Sequence, residues 1–222
     1  MKIKLKIDKN TPIIIISITL IIIAAILLTL AYTAQTRETL AEWKPDAKPG
    51  DAALQSPTGS SDANWAAALT RSNEAIILGG AGGTKKEDPK YSYFARGWNA
   101  EEQYWQISGT TTQGYERIEL SFATRGSNTG PKNFALEYST DGNEWKPLRD
   151  SKNAWITYSV DADNRFHRHG PYELSAAISD LEELSIRFMN TDTVSVIGDT
   201  TKSSGTSYIT DITITGIAKK ES

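Results

Sequence analysis

The sequence predicts an all-β fold, an antiparallel jelly-roll β-sandwich, preceded by a single N-terminal transmembrane helix. Three observations predict it. Residues 13–30, IIIISITLIIIAAILLTL, are apolar apart from Ser17, Thr19 and Thr29. Beyond about residue 63 the chain breaks into short segments in which apolar and polar residues alternate, separated by clusters of Gly, Asn, Asp and Ser. That region holds no long stretch with the 3.6-residue period of an amphipathic helix.

The N-terminal element follows from membrane dimensions. No charged residue lies between Asn10 and Gln35, and about 20 apolar residues in a helix cross a hydrocarbon core of roughly 30 Å. Lys2, Lys4, Lys6 and Lys9 precede the run against Asp8 alone. The positive-inside rule keeps such a terminus cytoplasmic and exports the remainder of the chain. The expected partner of residues 1–36 is therefore a lipid bilayer, through a signal anchor in a single-pass membrane protein. The rival is a cleaved secretory leader, whose apolar region is shorter, about 7–15 residues, and ends at a small-residue site. Cleavage would release the same domain in secreted form.

Residues 37–62 read as a linker. Thr36–Trp43 is compatible with a short helical continuation, and Pro45, Pro49 and Pro57 with Gly50 and Gly59 then disfavour packed structure. The sandwich is expected over 63–218, with a short tail at 219–222. Its clearest strands are ERIELSFATRG, with Ile118, Leu120 and Phe122 on one face, and NFALEYST, with Phe134, Leu136 and Tyr138 on one face. LSIRFMN buries Leu184, Ile186 and Phe188 and turns Arg187 outward. Further strands are expected at 75–78, 91–96, 104–108, 155–160, 171–174 and 208–216, with Ala176–Leu184 a helical turn or loop that tucks Leu181 inward. Strands that each keep one polar face, without long helices, build a sandwich.

Gly114–Trp145, GYERIELSFATRGSNTGPKNFALEYSTDGNEW, resembles the galactose-binding-like jelly-roll domains of exported bacterial surface proteins, a class that shares its architecture with carbohydrate-binding modules. ARGWN at 95–99 and the final YITDITITG at 208–216 extend the resemblance over roughly residues 64–216. It implies a non-catalytic binding role. It also implies an interior position for Trp105, and a structural calcium held by a last-strand carboxylate, here Asp211, with an early-strand acid such as Glu74. The resembling domains more often carry an Asp followed by Asp or Asn, and here Thr210 occupies the first of those positions.

The absence of cysteine excludes disulfides and thiolate chemistry. Residues 1–36 carry +3, four lysines against one aspartate, which leaves −6 for the remainder of a chain of net charge −3. Such a domain is a poor partner for nucleic acid.

The motifs that tempt a catalytic or metal reading give way on spacing. STDG at 139–142 is a hairpin tip, because Asp-Gly between alternating strands is a hairpin signal and the ligand series of a calcium loop breaks at Trp145. GGAGGTKK at 79–86 lacks the phosphate-loop spacing and leads to proline rather than to a helix. His167 and His169 share a strand face, but a zinc site would need further ligands from Asp161, Asp163 or Glu173. There is no nucleophile elbow, and the pairs Glu101-Glu102 and Glu182-Glu183 point to opposite strand faces.

Tryptophan and tyrosine outnumber phenylalanine, 6 and 9 against 5, the mix that stacks on sugar rings while keeping a polar handle. Trp98, Trp155 and Tyr172 lie near turns and are the candidate ligand-binding residues; Trp145 is expected over its own hairpin. The sequence thus leads to an outward-facing, membrane-anchored, non-catalytic module for carbohydrate or cell-envelope glycan. A structural or adhesion module for a surface protein is the alternative, and a divergent glycan-active enzyme a third.

Overall fold

The protein is described by a computed structural model covering residues 23, 36–45, 59–60, 68–71, 77–80, 89 and 91–220. The chain divides into two units, Met1–Thr36 and Arg37–Ser222. Apart from Ile23, the expected membrane segment lies outside the described residues, as do Glu74 and residues 81–86 of the glycine loop. Among the described residues no helix is long and apolar enough to cross a membrane.

The second unit is all-β. In chain order its strands are β1 (Arg37–Trp43), β2 (Gly59–Ser60), β3 (Ala68–Arg71), β4 (Ile77–Gly80), β5 (Tyr91–Ala95), β6 (Tyr104–Thr110) and β7 (Tyr115–Gly126). They continue with β8 (Asn133–Ser139), β9 (Lys146–Pro147), β10 (Thr157–Ser159), β11 (His167–Glu173), β12 (Leu184–Asn190) and β13 (Ser207–Ala218). A 3-10 turn at Ala176–Ile178 follows β11, and Leu181 packs partly buried against the core. The strands form two antiparallel sheets. Sheet A runs β11-β7-β13-β1-β2, with β5 on β13 and β4 on β5. Sheet B runs β10-β8-β12-β6-β3, with β9 on β8.

The alternation read from the sequence sets the core. Leu120, Phe122, Ile212 and Ile214 of sheet A meet Trp105, Ile107, Phe134, Leu136, Ile186 and Phe188 of sheet B, all of them buried. The rings of Phe122 and Phe188 close this interface edge to face, with centroids 4.9 Å apart.

The structure differs from the sequence expectation within the expected linker 37–62 and in β13; inside that linker Gly59–Ser60 is a short strand paired with Ala41 and Glu42 of β1. Arg37–Trp43, expected as a helical turn opening the linker, is a strand paired with β13 along its length, and it buries Leu40, Ala41 and Trp43. Its Glu, Leu and Ala favour a helix locally, but pairing and burial outweigh that small preference. Within β13, Ile209, Ile212 and Ile214 are all buried although strict alternation would put Ile209 and Ile212 on opposite faces. A bulge resolves the conflict. Thr210 pairs with Ala123 and Thr213 with Ser121, so Asp211 and Ile212 together oppose Phe122. The extra residue, Asp211, takes φ +50, a left-handed conformation that an aspartate tolerates better than most residues.

Candidate functional site

The outward face of sheet B gathers polar and aromatic side chains from four segments. Alternation buries Ile186 and Phe188, so Arg187 of β12 stands outward; its register neighbours are Gln106 on β6 and Glu137 on β8. The Arg187 Nε donates to Gln106 Oε1 at 2.9 Å, and Gln106 Nε2 donates in turn to Ser108 Oγ at 2.7 Å. The guanidinium carbon lies 4.1 Å from the ring centroid of Tyr104 and 3.6 Å from that of Trp145. Cation and rings attract through the ring quadrupole, and the stacking fixes the plane of the guanidinium.

The STDG hairpin positions Trp145. Gly142, at φ +74, makes the turn. Asp141 Oδ1 accepts the amides of Asn143 at 2.8 Å and Glu144 at 2.9 Å, and Ser139 Oγ accepts that of Gly142 at 2.9 Å. The amides of Asn143 and Glu144 first, then the Ser139 hydroxyl that donates to Asp141 Oδ1 at 2.9 Å, hold the Asp141 carboxyl below the usual carboxylate range. The segment is thus a braced tip, as its spacing predicted, and it delivers Trp145 across the sheet onto Arg187 rather than over the hairpin itself. Glu137 completes the group. Burial raises its carboxyl above the ordinary value, Arg187 opposes that, and Glu102 adds to it.

The structure separates the three predicted aromatics. Trp155 is 41% exposed, and its indole N–H donates to Leu136 O at 2.7 Å. It lies two residues before Thr157, whose partner Ala135 shares the strand parity of Glu137, so it stands beside the same face. Trp98 requires a correction. It is fully buried, tilted against Trp105 at 5.7 Å and edge to face with Phe134 at 5.8 Å, with its indole N–H on Ala95 O. Gly97, at φ +79, turns the chain so that the ring folds inward instead of standing at the turn. Tyr172 belongs to the other sheet: it pairs with Leu120, packs partly buried against Phe122 at 6.2 Å, and burial raises its hydroxyl pKa.

Asp211, the candidate calcium ligand, faces a cation already present. Arg168 Nη2 lies 3.0 Å from its Oδ2. Calcium there would have to displace a guanidinium, and among the described residues no group of three or more His, Asp or Glu is placed to hold a metal. The two histidines part company. His167 Nε2 lies 2.9 Å from Asp163 Oδ1, while His169 is packed on Phe122 at 4.9 Å and Tyr158 at 4.5 Å, with Nε2 2.8 Å from Thr124 Oγ1. Burial first, then His167, pushes His169 down to about 4, and Asp161 opposes the shift.

A depression of about 370 Å³ opens elsewhere, floored by Leu174 and Ala176 and rimmed by Glu116, Arg117, Glu173 and Lys219. Its opposite charges largely answer each other within the protein: Arg117 Nε lies 3.5 Å from Glu173, and Lys219 Nζ 2.7 Å from Asp180.

Solved structures similar to this chain include carbohydrate-binding modules, adhesin domains and the enzymatically active domain of a bacteriophage tailspike protein. One is a family-61 carbohydrate-binding module in complex with β-1,4-galactotriose, at 9% identity and a TM-score of 0.40, covering 67% of this chain and 87% of that one. Another is a family-29 carbohydrate-binding module, at 8% identity and 0.41, covering 81% and 89%. A third is the K2 cleaved adhesin domain of Lys-gingipain, at 9% identity and 0.44, covering 81% and 97%. None of these exceeds 9% identity or a TM-score of 0.44. No family model and no curated protein matches the chain.

Proposed function

We propose that this protein is a non-catalytic carbohydrate-binding module of the jelly-roll class that takes a cell-envelope glycan on the outward face of sheet B. The observation that carries the reading is the set of Tyr104, Trp145 and Trp155 beside Arg187, Gln106 and Glu137 on one braced sheet. Flat rings stack on the C–H faces of sugars, while a guanidinium, an amide and a carboxyl satisfy hydroxyl groups and set orientation. A sheet holds such groups in place more firmly than loops do. In this reading residues 1–36 anchor the module in the membrane with the sandwich facing outward. Asp211 serves the β13 bulge through Arg168, so calcium is not required for binding.

A glycan array probed with the full chain, repeated with Trp145→Ala, tests the reading. Retention of an envelope polysaccharide by the wild type and a loss of about tenfold in the variant is expected, since an aromatic stack contributes about 0.5–1.5 kcal/mol beyond the area it buries and about 1.4 kcal/mol is tenfold. Absence of binding to every glycan would sink it. The adhesion alternative rests on Val194 and Ile197, apolar side chains 36% and 50% exposed on one loop; a protein ligand there would survive Trp145→Ala.

A further inference from the structure

We infer that the glycan taken by this face carries a carboxylate, so that the site selects a uronic-acid-type sugar over its neutral counterpart; the inference rests on the glycan-binding reading above. Arg187 is the reason. Its guanidinium is held in plane between Tyr104 and Trp145, and its Nε is committed to Gln106. Gln106 is itself fixed by its bond to Ser108. The two Nη groups donate to no described residue, and Arg187 forms no ion pair among the described residues. What remains is a rigid two-nitrogen fork with its charge unspent, flanked by flat apolar surface. A fork of that geometry matches the two oxygens of a carboxylate, and pre-ordering removes much of the entropy cost of forming the pair.

Glu137 is the group that works against an anion here. It sits opposite Arg187 in the register without closing a salt bridge to it, so the positive fork is not cancelled by direct contact. Its burial disfavours its charged form, which lessens its repulsion toward an incoming carboxylate. Glu102 acts on Glu137 in the same direction, and neutralising Glu137 is therefore expected to strengthen the binding of an acidic sugar.

The test is isothermal titration of the full chain with a homogalacturonan oligomer and with the same oligomer neutralised by complete methyl esterification of its carboxyl groups, at low and high salt. The acidic oligomer is expected to bind about tenfold or more tighter at low salt, with the preference shrinking as salt rises. Arg187→Gln should abolish the preference, weakening the acidic oligomer far more than the neutral one, and Arg187→Lys, which keeps charge but loses the fork, should recover only a small part of it. Glu137→Gln should raise affinity for the acidic oligomer. Equal binding of the two oligomers by the wild type, or a preference that survives Arg187→Gln in a protein with unchanged unfolding temperature, would overturn the inference and leave the glycan reading standing. Binding of neither oligomer, together with a blank glycan array, would overturn both.

Discussion

Two arginines on opposite sheets use the same stacking device to different ends. Arg125 of β7 lies 4.0 Å from the Tyr208 ring and 5.6 Å from the Phe166 ring, and it is only 5% exposed. The loop before β11 closes over it, and its Nη1 donates to Asn164 Oδ1 at 2.8 Å. Arg187 is stacked as closely, between Tyr104 and Trp145, but no described loop closes over its fork. The same cation–ring contact thus fastens a loop to sheet A and presents a charge on sheet B. What separates them is burial: the guanidinium of Arg125 is enclosed, whereas that of Arg187 stands on a partly exposed face.

The comparison can be broken in stages, beginning with the core as a reference. Trp98→Ala should cost about 3–5 kcal/mol in chemical denaturation, because it empties a packed aromatic site; a cost below about 1 kcal/mol would mean that the ring is not interior. Arg125→Met should cost about 2–3 kcal/mol, since it removes two ring contacts and a partly buried charge-assisted hydrogen bond. Arg187→Met should change stability by no more than about 0.5–1 kcal/mol, as expected of a partly exposed group. Equal costs for the two arginines would erase the distinction between a closed and an open stack.

An effect of the same order as that of Arg125 comes from acid. His169 has a folded pKa of about 4 against an ordinary 6.5, so the unfolded chain takes up a proton that the folded chain refuses. Its contribution to stability is complete above pH 6.5 and is lost as pH falls toward 4. At about 1.4 kcal/mol per unit the loss is roughly 3 kcal/mol, and about 2 after allowing for residual solvent at the ring. His169→Phe should flatten the stability profile between pH 6.5 and 4 relative to wild type. Identical slopes for the two proteins would mean that the imidazole is not held neutral by burial. Smallest of all, Asp141→Ala should lower the unfolding midpoint slightly through the lost amide hydrogen bonds at the exposed hairpin tip.

The sandwich is legible in the sequence because β7, β8 and β12 each keep strict alternation, and alternation is a local property. The same parity turns Arg187 and Glu137 outward on the sequence alone. Three things are not local. β1 carries residues that favour a helix, and only its pairing with β13, far along the chain, makes it a strand. The bulge at Asp211 depends on how β13 meets β7 and leaves no mark in YITDITITG. The meeting of Trp145 with Arg187 depends on the register of β8 against β12 and on the reach of a hairpin, and a single sequence specifies neither. Trp98 misleads for a simpler reason: nearness to a glycine turn suggests exposure, whereas the turn folds the ring inward.

Everything proposed for function requires that ligand meet the protein on the outer face of sheet B. Fluorine NMR of the full chain with 5-fluorotryptophan at its 6 tryptophan positions, titrated with the glycan retained on the array, tests this directly. The Trp145 resonance is expected to move on binding, and that of Trp155, on the neighbouring edge, to move less. Trp43, Trp98 and Trp105, which are fully buried, should stay in place. A glycan that binds while the Trp145 resonance remains still would contradict a ligand site on that face.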